Sequence, residues 1–219
     1  PRFGRHRQAR AVGQASRDHR PSLAVSAEAR ARAVAILPPG ARALFDKPVA
    51  IVHPGVGSAV KQWPLPYFSA VIDLLIERHD LNVLLIGSPD EAELADEVLA
   101  GVRARESVDS VVGQTPLRDL PALLANAALY IGNDSGPKHI AAAVGAPTIG
   151  IHSGVVDTME WGPVGDRAIA LRRAMSCAPC YLARVDDCPR GLACLTGLEP
   201  ATVYQAAVEM LAKPVVPRM

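Results

Sequence analysis

Aromatic residues are scarce in this chain: Phe, Trp and Tyr together supply 4% of its 219 residues. That share argues against a stacking surface for single-stranded nucleic acid, which needs rings spaced along a basic groove. Long apolar runs are missing too. A bilayer-spanning helix takes roughly 20 apolar residues, and the longest run here, Ile140 to Ile151, is cut by Pro147. The stretch PRFGRHRQAR holds none of the apolar sequence a secretion signal carries. The expectation is a soluble, intracellular chain. A GxxxxGK[ST] phosphate loop is also absent.

Apolar residues make up 49% of the chain, enough to bury a sizeable core. The net charge of +1 conceals an asymmetry: residues 1–46 hold nine arginines and three acids, while the rest holds 14 Lys/Arg and 19 acids. A basic head can meet anionic lipid or nucleic acid through phosphates. Its arginines are scattered among Ala, Gly and Gln with no groove-reading motif, so a solvated flank is the simpler expectation, with no nucleic-acid partner.

From Pro48 onward apolar runs alternate with amphipathic ones. Strands are expected at Val49–Val52, Asn82–Ile86, Asp109–Val112, Leu129–Gly132, Thr148–Ile151 and Ala168–Leu171. Helices are expected at Leu65–His79, Asp90–Ala100, Leu117–Asn126, Pro137–Val144 and Pro200–Leu211. Continuous apolar strands between helices imply an α/β fold, a Rossmann-like parallel sheet with helices on both faces. Residues 1–47, where only Ser26–Ile36 looks helical, complete no strand–helix unit. They are expected to be a basic linker or the remnant of a preceding domain, with residues 48–219 forming the domain proper.

Strand-to-helix loops of such a sheet gather at its carboxyl edge, where ligands bind. Three of them are unusually polar. In HPGVGSAVKQWP (53–64), Gly55 and Gly57 allow close backbone approach and Ser58 offers a hydroxyl. Lys61 stands just before a helix start, where the dipole does not favour a cation. An anion between the two would explain it; an ordinary solvated lysine, with Trp63-Pro64 closing the loop, is the plainer alternative. In GSPDEAE (87–93), Ser88 or Asp90 can cap the helix, and Glu91 can accept the two hydroxyls of a ribose. Gly87 and Ser88 join Glu91 as ligand-binding candidates. In GNDSGPKH (132–139), Pro137 suits the first turn of a helix, and the amides near Ser135 and Gly136 form a phosphate site. Asp134 beside phosphate would be repelled, so it is expected to cap the helix or hold neutral sugar hydroxyls. His139 can donate to a phosphate oxygen. Lys61 and these amides are donors with no evident protein acceptor.

The order HPGxGSxxKxWP, GxPxE, GNDSGPxHIAAAxGxPTIGI and Trp161-Gly-Pro163 resembles glycosyltransferase family 9, whose members include the ADP-heptose:lipopolysaccharide heptosyltransferases. The resemblance covers about residues 48–211 and the carboxyl-terminal, donor-binding half of a GT-B enzyme; the segment His152–Asp157 departs from the usual glycine-then-threonine turn. It implies inverting transfer of a sugar, heptose above all, from an ADP-sugar to a lipid-linked saccharide acceptor of the lipopolysaccharide core. The reaction would run at the cytoplasmic face of the inner membrane, with peripheral membrane contact. Lys61 would be catalytic, stabilising charge on the departing diphosphate together with the 135–137 amides and without a metal cofactor. No DxD motif occurs, since Asp186 and Asp187 are adjacent. The general base would come from an amino-terminal GT-B domain that residues 1–219 lack. The alternatives are a non-catalytic nucleotide-sugar-binding module and an interaction domain stapled by zinc.

The cysteines prompt that last alternative. Cys177, Cys180, Cys188 and Cys194 fall within 18 residues, a cluster that suits a structural zinc held by four thiolates. Buried thiols or a disulfide remain open as other states.

Overall fold

The computed structural model describes residues 21–212. In chain order its elements are α1 (Ala27–Ala35), α2 (Pro39–Ala43), β1 (Val49–His53), α3 (Leu65–His79), β2 (Asn82–Leu85), α4 (Ala92–Gly101), β3 (Val108–Ser110) and α5 (Leu120–Leu124). Then follow β4 (Leu129–Asn133), α6 (Gly136–Ala143), β5 (Thr148–Ile151), α7 (Thr158–Trp161), β6 (Ala168–Leu171), α8 (Ala193–Thr196) and α9 (Pro200–Ala212). The six strands form one sheet in the order β3-β2-β1-β4-β5-β6, and every neighbouring pair is parallel.

Alternation along each strand divides the core in two. Ala50, Val52, Val83, Leu85, Leu129 and Ile131 face one side, against Phe68, Val71, Ile72 and Leu75 of α3, Val98 of α4 and Val203 of α9. Val49, Ile51, Leu84 and Tyr130 face the other, against Leu120 and Leu123 of α5 and Ala141 of α6. The expected doubly covered sheet is present. Ala33, Leu37, Ala41 and Leu44 belong to the second cluster, so residues from 27 to 44 pack on the sheet as part of its cover. Ser26 caps α1 by accepting from the Ala29 N–H at 3.1 Å. Six of the nine arginines of the basic head, Arg2 to Arg20, lie outside the described residues.

Two helices differ from expectation for local reasons. α5 starts at Leu120 rather than Leu117, because Pro121 has no N–H and is tolerated only in a first turn. α4 starts at Ala92, since Pro89–Glu91 form a tighter 3-10 turn held by a capping arrangement. β3 runs one residue earlier than read and is shorter, while β4 reaches Asn133. Among the described residues no helix is long and apolar enough to cross a membrane.

Strand order fixes where a ligand belongs. From β1 the chain moves outward to β2 and β3, then crosses back to β4 and moves outward the other way. The loops after β1 and β4 therefore diverge to opposite faces and leave a crevice between them at the carboxyl edge.

Candidate functional site

Asn133, the last residue of β4, ties the two sides of the crevice together. Its Nδ2 donates to the Pro54 carbonyl at 2.7 Å, and its Oδ1 accepts from the Trp63 N–H at 3.1 Å. Trp63 is fully buried, packs edge-on against Phe68 with ring centroids 4.8 Å apart, and donates its indole N–H to the Leu198 carbonyl at 2.9 Å. The β1 loop is thereby pinned at its start, its end and its aromatic anchor. This pinning brings Lys61 over the end of β4.

There Lys61 Nζ lies 2.7 Å from Asp134 Oδ2. Asp134 is 5% exposed and does not cap α6. Its Oδ1 pairs with Lys138, four residues on and 0% exposed, and His152 Nδ1 lies 3.8 Å from the same oxygen. This excludes the capping alternative for Asp134. The carboxylate is engaged by two lysines, because α6 returns Lys138 to it at the i, i+4 position and the pinned loop presents Lys61 from the other side. Lys61 has a protein acceptor after all.

The electrostatics follow from this packing. Burial pushes the Asp134 pKa upward, but Lys138 and Lys61 outweigh it and hold the group below its ordinary value. Burial lowers the pKa of Lys138, partly offset by Asp134. His152 is lowered to about 4 by burial, and neither ring nitrogen has a hydrogen-bond partner among the described residues. Lys138 Nζ also lies 3.0 Å from His139 Nε2. An ammonium only donates, so that nitrogen accepts and the neutral His139 ring carries its proton on Nδ1. His139 is exposed at the crevice mouth but its ring is partly shielded, and that partial desolvation together with Lys138 lowers its pKa.

A second chain of contacts runs along the opposite wall. Glu91 Oε2 accepts from the Ser88 N–H at 2.7 Å and lies 3.1 Å from His53 Nε2. The hydrogen bond with His53 holds the Glu91 pKa down to about 2. An ionised Glu91 makes Nε2 the donor, while Nδ1 lies 3.0 Å from the Ser135 hydroxyl oxygen. Gly55 permits this closure: a Cβ there would overlap the Glu91 carboxylate. Its lack of a side chain thus makes room for Glu91.

Lys61, Asp134, Ser135 and Glu91 therefore share one crevice, with Gly136 and His139 exposed beside them. Gly136 and Pro137 open α6, whose first amides have no partner within the helix. Ser58 is half-buried and opens the short turn Ala59–Lys61 without a side-chain capping bond. Gly87 is half-buried and Ser88 exposed, their backbone close to Glu91. His53, Asn133, Lys138 and His152 were not singled out from sequence as site residues. The i, i+4 spacing of Asp134 and Lys138 was the available signal for one of them.

The cysteines do not form the expected metal centre. Cys177, Cys180, Cys188 and Cys194 line one cavity of about 240 Å³ with Gly154, Val155 and Met175. Yet among the described residues no group of three or more His, Cys, Asp or Glu side chains could hold a metal ion. The thiols are free and spread from exposed Cys177 to buried Cys194, so they line a wall without converging on a point.

Comparison with known proteins fits this geometry. The model of glycosyltransferase family 9 (heptosyltransferase) matches residues 6–186. Lipopolysaccharide heptosyltransferase 3 of Escherichia coli is 36% identical over 121 residues, 54% of this chain and 35% of that protein. The solved structure of E. coli ADP-heptose LPS heptosyltransferase II superposes with a TM-score of 0.70 at 22% identity, over 87% of this chain and 53% of that one. E. coli heptosyltransferase WaaC with ADP superposes at 0.59 and 22% identity, over 83% and 48%. The chain thus spans about a third of that curated relative and about half of each solved structure, and its sheet corresponds to one half of their GT-B fold.

Proposed function

The chain belongs to glycosyltransferase family 9, the heptosyltransferases, and from that premise we propose that its crevice binds the donor, an ADP-sugar. The domain would be the donor-binding half of an inverting transferase that passes heptose to a lipid-linked saccharide of the lipopolysaccharide core. One observation carries the reading: Lys61 and the amino end of α6 converge on one point at the switch between β1 and β4. A diphosphate at that point would accept from the helix amides and meet the lysine. As the bond to the sugar breaks, negative charge grows on the diphosphate, and these preorganised donors stabilise it there.

Glu91 fits the ribose. Both of its bonds fall on Oε2, which leaves Oε1 to accept from ribose hydroxyls. His139, with its proton on Nδ1 at the crevice mouth, fits a hydrogen bond to a phosphate oxygen. The general base would come from a facing domain, so residues 1–219 alone should bind donor without transferring sugar.

Calorimetric titration of ADP into the wild-type chain and Lys61→Ala tests the reading. Loss of a charge-assisted contact, about 1.5–3 kcal/mol, predicts roughly ten- to a hundredfold weaker binding. Equal affinity in both proteins would refute the site.

A further inference from the structure

Lys138 is the one buried cation in the crevice for which the proposed chemistry has no use. Its side chain is 0% exposed, and its stem lies so close to Gly150 of β5 that a Cβ there would stand 3.0 Å from Lys138 Cδ. Nζ is engaged by Asp134 Oδ1 and His139 Nε2. Lys61 differs in each respect. It comes from a loop, its side chain is 23% exposed, and its pairing with Asp134 Oδ2 is the only salt bridge it makes among the described residues. One carboxylate is therefore shared by a cation locked in the core and a cation at the rim.

The two positions have different consequences when an anion arrives. Suppose Lys61 were the sole partner of Asp134. Its departure toward a diphosphate would strand a buried carboxylate, and the desolvation penalty of that charge would oppose binding. With Lys138 in place the carboxylate keeps a partner throughout. Asp134 and Lys138 then cancel, and the charge of Lys61 is left for the ligand. We propose that Lys138 is a positioning residue, a fixed internal counter-ion of Asp134 that releases Lys61 to the donor diphosphate.

This inference rests on the reading that Lys61 binds the diphosphate, and one set of titrations separates the two. ADP is titrated into wild type, Lys61→Ala, Lys138→Met, Asp134→Asn and the double variant Lys138→Met/Asp134→Asn. Methionine keeps the length and apolar bulk of the stem and removes the charge. Lys61→Ala should bind about tenfold or more weakly, and no change there would remove the diphosphate reading and this inference with it. Lys138→Met should also lose about tenfold or more, because Lys61 is then held by Asp134. The double variant should recover to within about threefold of wild type, since no buried carboxylate remains to hold Lys61.

That rescue separates positioning from direct contact. If Lys138 touched phosphate itself, neutralising Asp134 would not restore affinity, and a double variant as weak as Lys138→Met would overturn the proposal. Wild-type affinity in Lys138→Met, alongside a loss in Lys61→Ala, would overturn it equally. Should Lys138→Met lose its cooperative thermal transition, Asp134→Asn against the double variant decides. Equal affinities support the proposal, and a further tenfold loss refutes it.

Discussion

The crevice outside β1 and β4 and the cysteine segment 177–194 differ in how their reactive groups are brought together. In the crevice, Lys61 and Asp134 are far apart in sequence and 2.7 Å apart in space. Strand order places the ends of β1 and β4 side by side, and Asn133 then pins the loop that carries the lysine. In the cysteine segment the groups are neighbours in sequence, yet they end along the wall of a cavity with no focus. Closeness along the chain is therefore a weak guide to a site where the backbone has no sheet to organise it. Convergence here comes from topology.

Substitutions that remove a paired charge from the crevice should thus cost far more than substitutions among the thiols. The largest effect is expected for Lys138→Ala. It removes one partner of a buried ion pair and leaves a void beside Gly150, for a loss of about 3 kcal/mol in urea unfolding. A loss below about 1 kcal/mol would mean that Asp134 is satisfied without Lys138.

A similar effect should appear with pH. The His152 ring has its folded pKa lowered to about 4, below its ordinary value of 6.5. Between those values the unfolded chain binds a proton that the folded chain does not, so stability falls as pH drops from 6.5 toward 4. The shift corresponds to on the order of 3 kcal/mol across that window. His139, also lowered, adds to the same slope. Glu91 is shifted in the same direction in a lower window: its contribution is present above 4.5 and is lost as pH falls toward about 2. Chemical denaturation of wild type and His152→Gln at pH 4, 5 and 6.5 checks this. The variant should show the flatter profile, and parallel profiles would assign the slope elsewhere.

The smallest effect sharpens the contrast from the other side. Cys177 is exposed, so Cys177→Ser should change stability by less than about 0.5 kcal/mol. Prior chelation should leave the thermal midpoint of wild type where it was. A chelator-sensitive midpoint would show the thiols acting together.

Much of the fold was legible because its cues are local. Runs such as Val49-Ala-Ile-Val52 are buried on both faces and admit little except a central parallel strand. Loops between such strands and helices had to collect at one edge, which placed Lys61, Glu91 and Asp134 correctly as neighbours. Their partnerships were harder to read. Lys138 in an alanine-rich helix has the sequence appearance of a solvated lysine; its stem packs closely against Gly150 of β5, a contact that depends on the folded sheet. His53 closes an apolar strand, and its roles depend on two loops that arrive from elsewhere. The start of α5 was misplaced although Pro121 marked it. For the cysteines, spacing alone suggested a metal centre that the packing does not assemble.

The parallel sheet has one further consequence, for handling the protein. With all strands pointing the same way, the segments that enter them lie at the edge remote from the crevice. The exposed pair Lys47–Asp80, 2.6 Å apart, sits there, just before β1 and β2. A dye, a tether to a sensor chip or a fused reporter attached at that edge would leave the crevice open to solvent, and binding could be followed on immobilised protein without the support competing for the ligand.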